Sequence, residues 1–547
     1  MGKIKKWAIG IFAGLALTIS IAFQSDFFEI AKQIDIYTTL FKELNMYYID
    51  AVNPAKLSNK AINSMLESLD PYTRYYDEQG VEDARIAATG EYGGIGVVTR
   101  YKNNNLTVRE LLKNSPAEKA GIKPGDKILK INDIEVKDFD ETGVAALLNG
   151  LPNTKVNLQI ERQNKKMEFA VAREKIIVNP VPYYTMLANE VGYISFTTFN
   201  EKAAYEVKKA FLDLKEQGMK KLIIDVRGNP GGLLNEAVSI ANFFIPKDKI
   251  VVTTKAKIEK WSDTFKTLQE PIDLEIPIAV LVNNRSASAS EILAGSLQDY
   301  DRAVIIGERS FGKGLVQRYL PLSYGTQMKI TISKYYTPSG RCIQELDYTN
   351  RDEKGNIPKF SENTQTFKTE KGRIVYGGGG ILPDVKTAKP TTTKTTETLL
   401  NSDAFFNYAT QYFYENTTIA EPSKFKLADS DYISFKNYLS KNNDAFETKS
   451  ETEFKKALET ASAENLNGNL LKGYSEILAS IQAEKFKELD KNKEEIINEL
   501  SEEIIKRYYY AEGVYQQKVI FDNVILKAVS ILNNEKEYNK IIGKSAN

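Results

Sequence analysis

Histidine does not occur anywhere in the 547 residues. That absence removes the Ser-His-Asp relay and every His-based zinc site from the chemistry open to the chain. Cysteine is nearly absent too. Cys342 stands alone, so no intrachain disulfide is available and stability has to come from packed cores. With no histidine to activate it, Cys342 reads as a small packed residue and not as a nucleophile. Neither sign of charge is in excess: 73 basic residues face 72 acidic ones, for a formal net charge of +1, which carries no nucleic-acid signature. No glycine-rich loop is followed by Lys-Ser/Thr, so a nucleotide phosphate site is not expected. No internal repeat emerges either, and nothing in the sequence calls for a metal or an organic cofactor.

What is present begins at the N-terminus. Lys3, Lys5 and Lys6 precede Trp7 to Phe23, an uncharged stretch of 17 residues. This pattern suits a signal-peptide core or a short single-pass anchor, with the remainder of the chain exported. Ser20-Ile21-Ala22 is a mediocre cleavage site, which favours an uncleaved anchor. No cysteine lies near its end, so a lipoprotein is excluded. The expected location is a bacterial envelope, inner-membrane anchored and facing the periplasm, or released there after cleavage.

A serine without histidine needs another base, and lysine is the remaining choice. A free lysine titrates at about 10.4, so it must lie in a place that disfavours its charged form. Two segments meet this requirement together. Ser286-Ala287-Ser288-Ala289-Ser290-Glu291 lies between the apolar, strand-like Ile278 to Val282 and a helical pattern through Ile292, Leu293 and Leu297. That is a strand-turn-helix placement for a nucleophile. Gly312-Lys313-Gly314 follows the apolar run Ala303 to Gly307. A third turn, Gly228-Asn229-Pro230-Gly231-Gly232, joins the strand-like Lys221 to Arg227 to another helical pattern, and concentrates backbone N–H groups where an oxyanion would be stabilised.

These segments resemble the carboxyl-terminal processing peptidases (tail-specific proteases), Ser-Lys endopeptidases with an embedded PDZ domain. Six ordered stretches carry the resemblance: Leu69 to Thr73, Tyr92 to Gly96, Asp225 to Gly232, Ser286 to Glu291, Gly307 to Gly314 and Tyr336 to Gly340. No position in them departs from the family pattern. The resemblance implies Ser288 as nucleophile, Lys313 as general base and Gln317 as the residue that orients the base. It places the oxyanion hole on the backbone of Ala289 and of the Gly231-Gly232 turn. If the chain after Lys313 is extended, residues 313, 315 and 317 share one face. The PDZ reading also rests on Ser115 to Asn132, a short helix, a Pro-Gly-Asp turn and a strand. Gly93-Gly94-Ile95-Gly96 resembles the loop that receives a peptide's terminal carboxylate, with the peptide adding as an extra strand.

The expected fold is an α/β protease core, crotonase-like, with an inserted PDZ domain, a helical N-terminal segment and a mainly helical C-terminal domain. The layout reads as a signal segment at 1–24, a helical segment at 25–90, PDZ at 91–176, protease at 177–388 and a helical domain at 389–547. Expected partners are proteins or peptides with accessible C-termini, the membrane through the N-terminal segment, and a second copy or an adaptor through the C-terminal domain. Two other classes compete. A non-catalytic PDZ scaffold has no reason to keep the Ser288, Lys313 and Gln317 set. A crotonase-like acyl-CoA enzyme has no use for a PDZ insert and an export signal.

Overall fold

The structure is a computed structural model that describes residues 27–138, 143, 147–360, 365–388, 392–442, 446–465 and 468–544. The stretch Trp7 to Phe23 read as a signal or anchor lies outside the described residues, and among those described no helix is long and apolar enough to cross a membrane. Two compact units are distinguished. The smaller comprises the chain up to Tyr75 with Met328–Ile330, and its described part includes helices at 27–47 and Pro54–Glu67. All that follows concerns the larger unit.

Its centre is a six-stranded sheet: β1 (Tyr183–Leu187), β2 (Val191–Ser195), β3 (Lys221–Asp225), β4 (Ile278–Val282), β5 (Ala303–Gly307) and β6 (Val385–Lys386). The strands lie side by side in chain order, with β1 antiparallel to β2 and every later pair parallel. β2, β4 and β5 are buried at every position, as parallel strands covered on both faces must be. Alternation divides their side chains between the two faces. Leu222, Ile224, Ile278, Val280 and Ile305 join α1 (Ala203–Glu216), α2 (Leu234–Ala241) and α3 (Ala289–Asp299) in one core.

Because each new strand is added on the same side as the last, the crossover helices α1 to α3 all lie on one face. Something else must cover the other. Val191, Tyr193, Ile223, Ala279, Leu281, Val304 and Ile306 pack instead against Ile525, Ala528, Ile531, Leu532 and Tyr538. These belong to the end of the C-terminal helical region, which runs through α4 (Lys493–Phe521), α5 (Asn523–Asn533) and α6 (Glu535–Ile541). The earlier helices of that region build a separate core around Phe405, Tyr408, Phe435, Leu500 and Ile504.

The PDZ insert enters and leaves by a two-stranded ribbon, Glu91–Gly94 against Glu174–Ile177. Its own sheet starts at an edge strand, Val97–Lys102, followed by Asn105–Leu111, Lys127–Ile131, Lys155–Arg162 and Lys165–Ala172. Ile95, Val108, Ala117, Ile131, Val156 and Ile160 fill its core.

Candidate active site

The turn from β4 into α3 holds three serines in different settings. Ser286 and Ser290 are fully buried. The Ser286 hydroxyl donates to the Val226 carbonyl at 2.8 Å, and that of Ser290 to the Asn229 carbonyl at 3.0 Å. Together they knit the serine loop to the glycine turn and to the chain leading into it. Ser288 alone of the three is partly exposed, at the position preceding α3, with φ 56° and ψ −113°. That region is unfavourable for a residue with a Cβ and costs on the order of 1–3 kcal/mol, the strain expected of a nucleophile elbow. Its orientation is fixed from below, since Tyr335 Oη donates to the Ser288 carbonyl at 3.2 Å.

Glu291 ties this loop to the one carrying Lys313. It is completely buried, and each of its oxygens receives two donors. Oε1 accepts from Ser310 Oγ at 2.6 Å and from the Gly312 N–H at 2.7 Å. Oε2 accepts from the Ser288 N–H at 2.8 Å and from the Lys313 N–H at 2.9 Å. One carboxylate oxygen thus holds the backbone of Ser288 and of Lys313 at once. Burial pushes the Glu291 carboxyl up to about 7, against the pull of these donors. Sequence reasoning passed over Glu291, yet Ser288-Ala289-Ser290-Glu291 has the capping-box spacing S-x-x-E, which would have pointed to it.

The glycine turn approaches the serine closely. Gly231 has φ 95°, and a Cβ there would lie 2.6 Å from the Ala287 carbonyl oxygen and 2.9 Å from Ser288 Cβ. The N–H of Gly231 is committed to Asn229 Oδ1 at 2.9 Å. Gly232 packs on the Phe199 backbone, where a Cβ would meet the Phe199 carbonyl oxygen at 2.3 Å. Among the described residues the Ala289 N–H, in the first turn of α3, meets no acceptor.

Lys313 is half-buried and lies just ahead of the strand Leu315–Pro321. Its N–H is taken by Glu291 and not by a strand ladder, so the extended run expected from 313 to 317 begins only at Leu315. Gly314 is pinned on both sides, its N–H by Gln344 Oε1 at 2.8 Å and its carbonyl by the Tyr335 N–H at 2.9 Å. Gln317 lies within the strand, and its amide Nε2 donates to Thr331 Oγ1 at 3.2 Å. Among the described residues no group of acidic or cysteine side chains is arranged to hold a metal ion.

On the PDZ insert, Gly93 and Gly94 lie in the entry ribbon and Ile95 is buried in the PDZ core. Gly96 has φ 74°, and a Cβ there would strike Ser115 Cβ at 2.5 Å. The carbonyls of Ile95 and Gly96 accept from the Ala117 and Leu112 N–H groups, both at 3.0 Å. Beside them is a cavity of about 300 Å³ that Ile95, Gly96, Val97 and Leu148 share with Ile86 and Ala87 of the helix Glu78–Thr89. Val97–Lys102 is paired on one side only, the condition for an added strand.

Residues 190–351 match peptidase family S41, residues 93–172 a PDZ domain, and residues 395–532 the C-terminal helical domain of probable PDZ-proteases. A probable CtpA-like serine protease of Staphylococcus aureus (strain MRSA252) is 37% identical over 340 residues, covering 60% of this chain and 67% of its own. A carboxy-terminal-processing protease of Bartonella bacilliformis is 36% identical over 326 residues, covering 58% of this chain and 74% of its own. Among solved structures, the photosystem II D1 C-terminal processing protease aligns at 27% identity over 64% of this chain and 92% of its own, with a TM-score of 0.36.

Proposed function

Since the chain belongs to the carboxy-terminal-processing proteases of peptidase family S41 and is a serine peptidase with a PDZ domain, we propose that it works by a Ser288–Lys313 acyl-enzyme mechanism on protein tails presented by its PDZ domain, outside the cytoplasmic membrane. Neutral Lys313 takes the Ser288 hydroxyl proton as Oγ attacks the scissile carbonyl. The lysine then protonates the leaving amine, and water hydrolyses the ester. The Ala289 N–H, with that of Gly232, stabilises the developing oxyanion. Gly231 acts through close packing, because its own N–H is held by Asn229. Gln317, on the strand Leu315–Pro321 that follows Lys313, orients the lysine.

The observation that carries this reading is the shared Glu291 Oε2, which brings the Ser288 and Lys313 backbones to one atom. Ser286 and Ser290 compete poorly for the nucleophile's role, since both hydroxyls are buried on backbone carbonyls. Export rests on Lys3, Lys5 and Lys6 ahead of Trp7 to Phe23. For the tail-reading role, the one-sided edge strand and the Ile95-Gly96 stretch beside the cavity of about 300 Å³ are the support, since Gly93 and Gly94 are paired in the entry ribbon.

Ser288→Ala and Lys313→Ala should each abolish peptide hydrolysis while leaving the unfolding curve in place. The double variant should be no worse than either alone, because nucleophile and base act as a unit. Gln317→Ala should be milder. Undiminished hydrolysis by Ser288→Ala, with loss in Ser286→Ala or Ser290→Ala, would sink the assignment.

A further inference from the structure

The glycine turn beside Ser288 is gripped from the far side of the sheet by a residue from the end of the chain. Asp522 stands at the break between α4 and α5. Its Oδ1 caps α5 by accepting from the Val524 N–H at 2.8 Å and the Ile525 N–H at 3.1 Å. The same carboxylate receives Arg227 Nη1, at 2.9 Å on Oδ2 and 3.1 Å on Oδ1. The other edge of the Arg227 guanidinium forks onto Asp225, with Nε 2.9 Å from Oδ1 and Nη2 2.7 Å from Oδ2. Tyr193 Oη completes the cluster by donating to Asp225 Oδ2 at 2.9 Å.

Arg227 leads directly into the turn. Gly228 follows at φ 75° with open space where a Cβ would stand. Its N–H goes to Asn283 Oδ1 at 3.0 Å, in the segment that approaches the serines. One residue on, the carbonyl of Asn229 receives the Ala287 N–H and Ser290 Oγ, each at 3.0 Å. Ala287 and Ser290 stand on either side of Ser288 and Ala289. Whatever fixes Arg227 therefore fixes the entry to the turn on which the serine loop hangs.

We propose that Asp522, acting through Arg227, is a positioning residue for the serine loop, so that the C-terminal helices contribute to catalysis as well as to packing. This rests on Ser288 being the nucleophile. An ordinary ion pair gluing α5 to the sheet would affect stability alone, whereas a positioning residue affects kcat at unchanged fold and unchanged substrate affinity.

Asp522→Asn separates the two. Asparagine still caps α5 through its side-chain oxygen but withdraws the negative charge from Arg227. In the full-length protein, kcat and the rate at which a small fluorophosphonate acylates Ser288 should both fall about tenfold, with KM changed less than about twofold. The unfolding midpoint should stay in place, and Asp522→Glu should recover most of the loss. Combining Asp522→Asn with Arg227→Gln should add little to either. Wild-type acylation rates in Asp522→Asn would overturn the inference and leave the protease assignment standing. If that variant loses its fold, Arg227→Gln, which leaves the α5 cap intact, decides on the same acylation rate. A wild-type protein that the reagent does not label at Ser288 would instead bring down the nucleophile assignment, and this inference with it.

Discussion

Two donors on each oxygen of Glu291 is the pattern of an ionised carboxylate, which only accepts. Complete burial opposes that ionisation and holds the group at about 7. The sign of the stability effect follows. The folded value lies above the ordinary carboxylate value of 4.5, so the native state binds the extra proton. Stability from this group is full below about pH 4.5 and is lost as pH rises through about 7, a difference on the order of 3 kcal/mol. Activity should run the other way, because the loops carrying Ser288 and Lys313 are tied together by the charged form. Urea unfolding from pH 4.5 to 7.5 alongside kcat over the same range should show the opposing trends. Stability that stays flat or rises across this range in the wild type, after the same series in Glu291→Gln is subtracted, would refute the argument. Glu291→Gln should also lower kcat/KM about a hundredfold, roughly 2.7 kcal/mol, since its amide nitrogen meets two donors where an acceptor is required. Hydrolysis within about threefold of wild type would show that the carboxylate is dispensable.

At the scale of elements, the PDZ insert offers a test that touches no catalytic atom. A terminal carboxylate held by backbone N–H groups gains charge-assisted hydrogen bonds of roughly 1.5–3 kcal/mol each. Amidating the C-terminus of a long substrate should therefore lower kcat/KM about tenfold, while peptides too short to reach from Val97–Lys102 to Ser288 are unaffected. Equal cleavage of acid and amide would remove tail reading from the assignment. Ile95→Asp is a poorer probe, because Ile95 is 1% exposed and a charge there would break the PDZ core. Much at this scale was legible in the sequence. The strand-turn-helix around Ser288 and the two glycine-bearing turns read directly from apolar runs broken by small residues. Gln317 read less well: period-two counting started at Lys313, but Glu291 takes the Lys313 N–H and the strand starts two residues later. Glu291 gives little sign of its role in the sequence, because a glutamate in a first helical turn usually faces solvent, and nothing local reveals that a second loop closes over this one.

For the molecule as a whole, what the sequence concealed was long-range. Periodicity marks Val524, Ile525, Ala528, Ile531 and Leu532 as one apolar stripe but does not say which surface it meets. The answer depends on strand order, since adding strands in sequence leaves one face of the sheet uncovered until α5 and α6 arrive. Ile525, fully buried there, gives the measurement: Ile525→Asp should cost more than about 3 kcal/mol in urea unfolding, through an unpaired buried charge and lost apolar contact. A loss below about 1 kcal/mol would mean that the helix is a dispensable cover.

This placement also sets a timetable. A growing chain supplies β6 at Val385–Lys386 and the first covering helix only at Asn523. At roughly 5–20 residues per second, the delay is on the order of ten seconds. Throughout that interval Ser288 and Lys313 have already been made, while Arg227 still waits for Asp522 and the sheet still waits for its second layer. One face of the sheet is thereby left bare until the helices from Asn523 onward emerge to cover it.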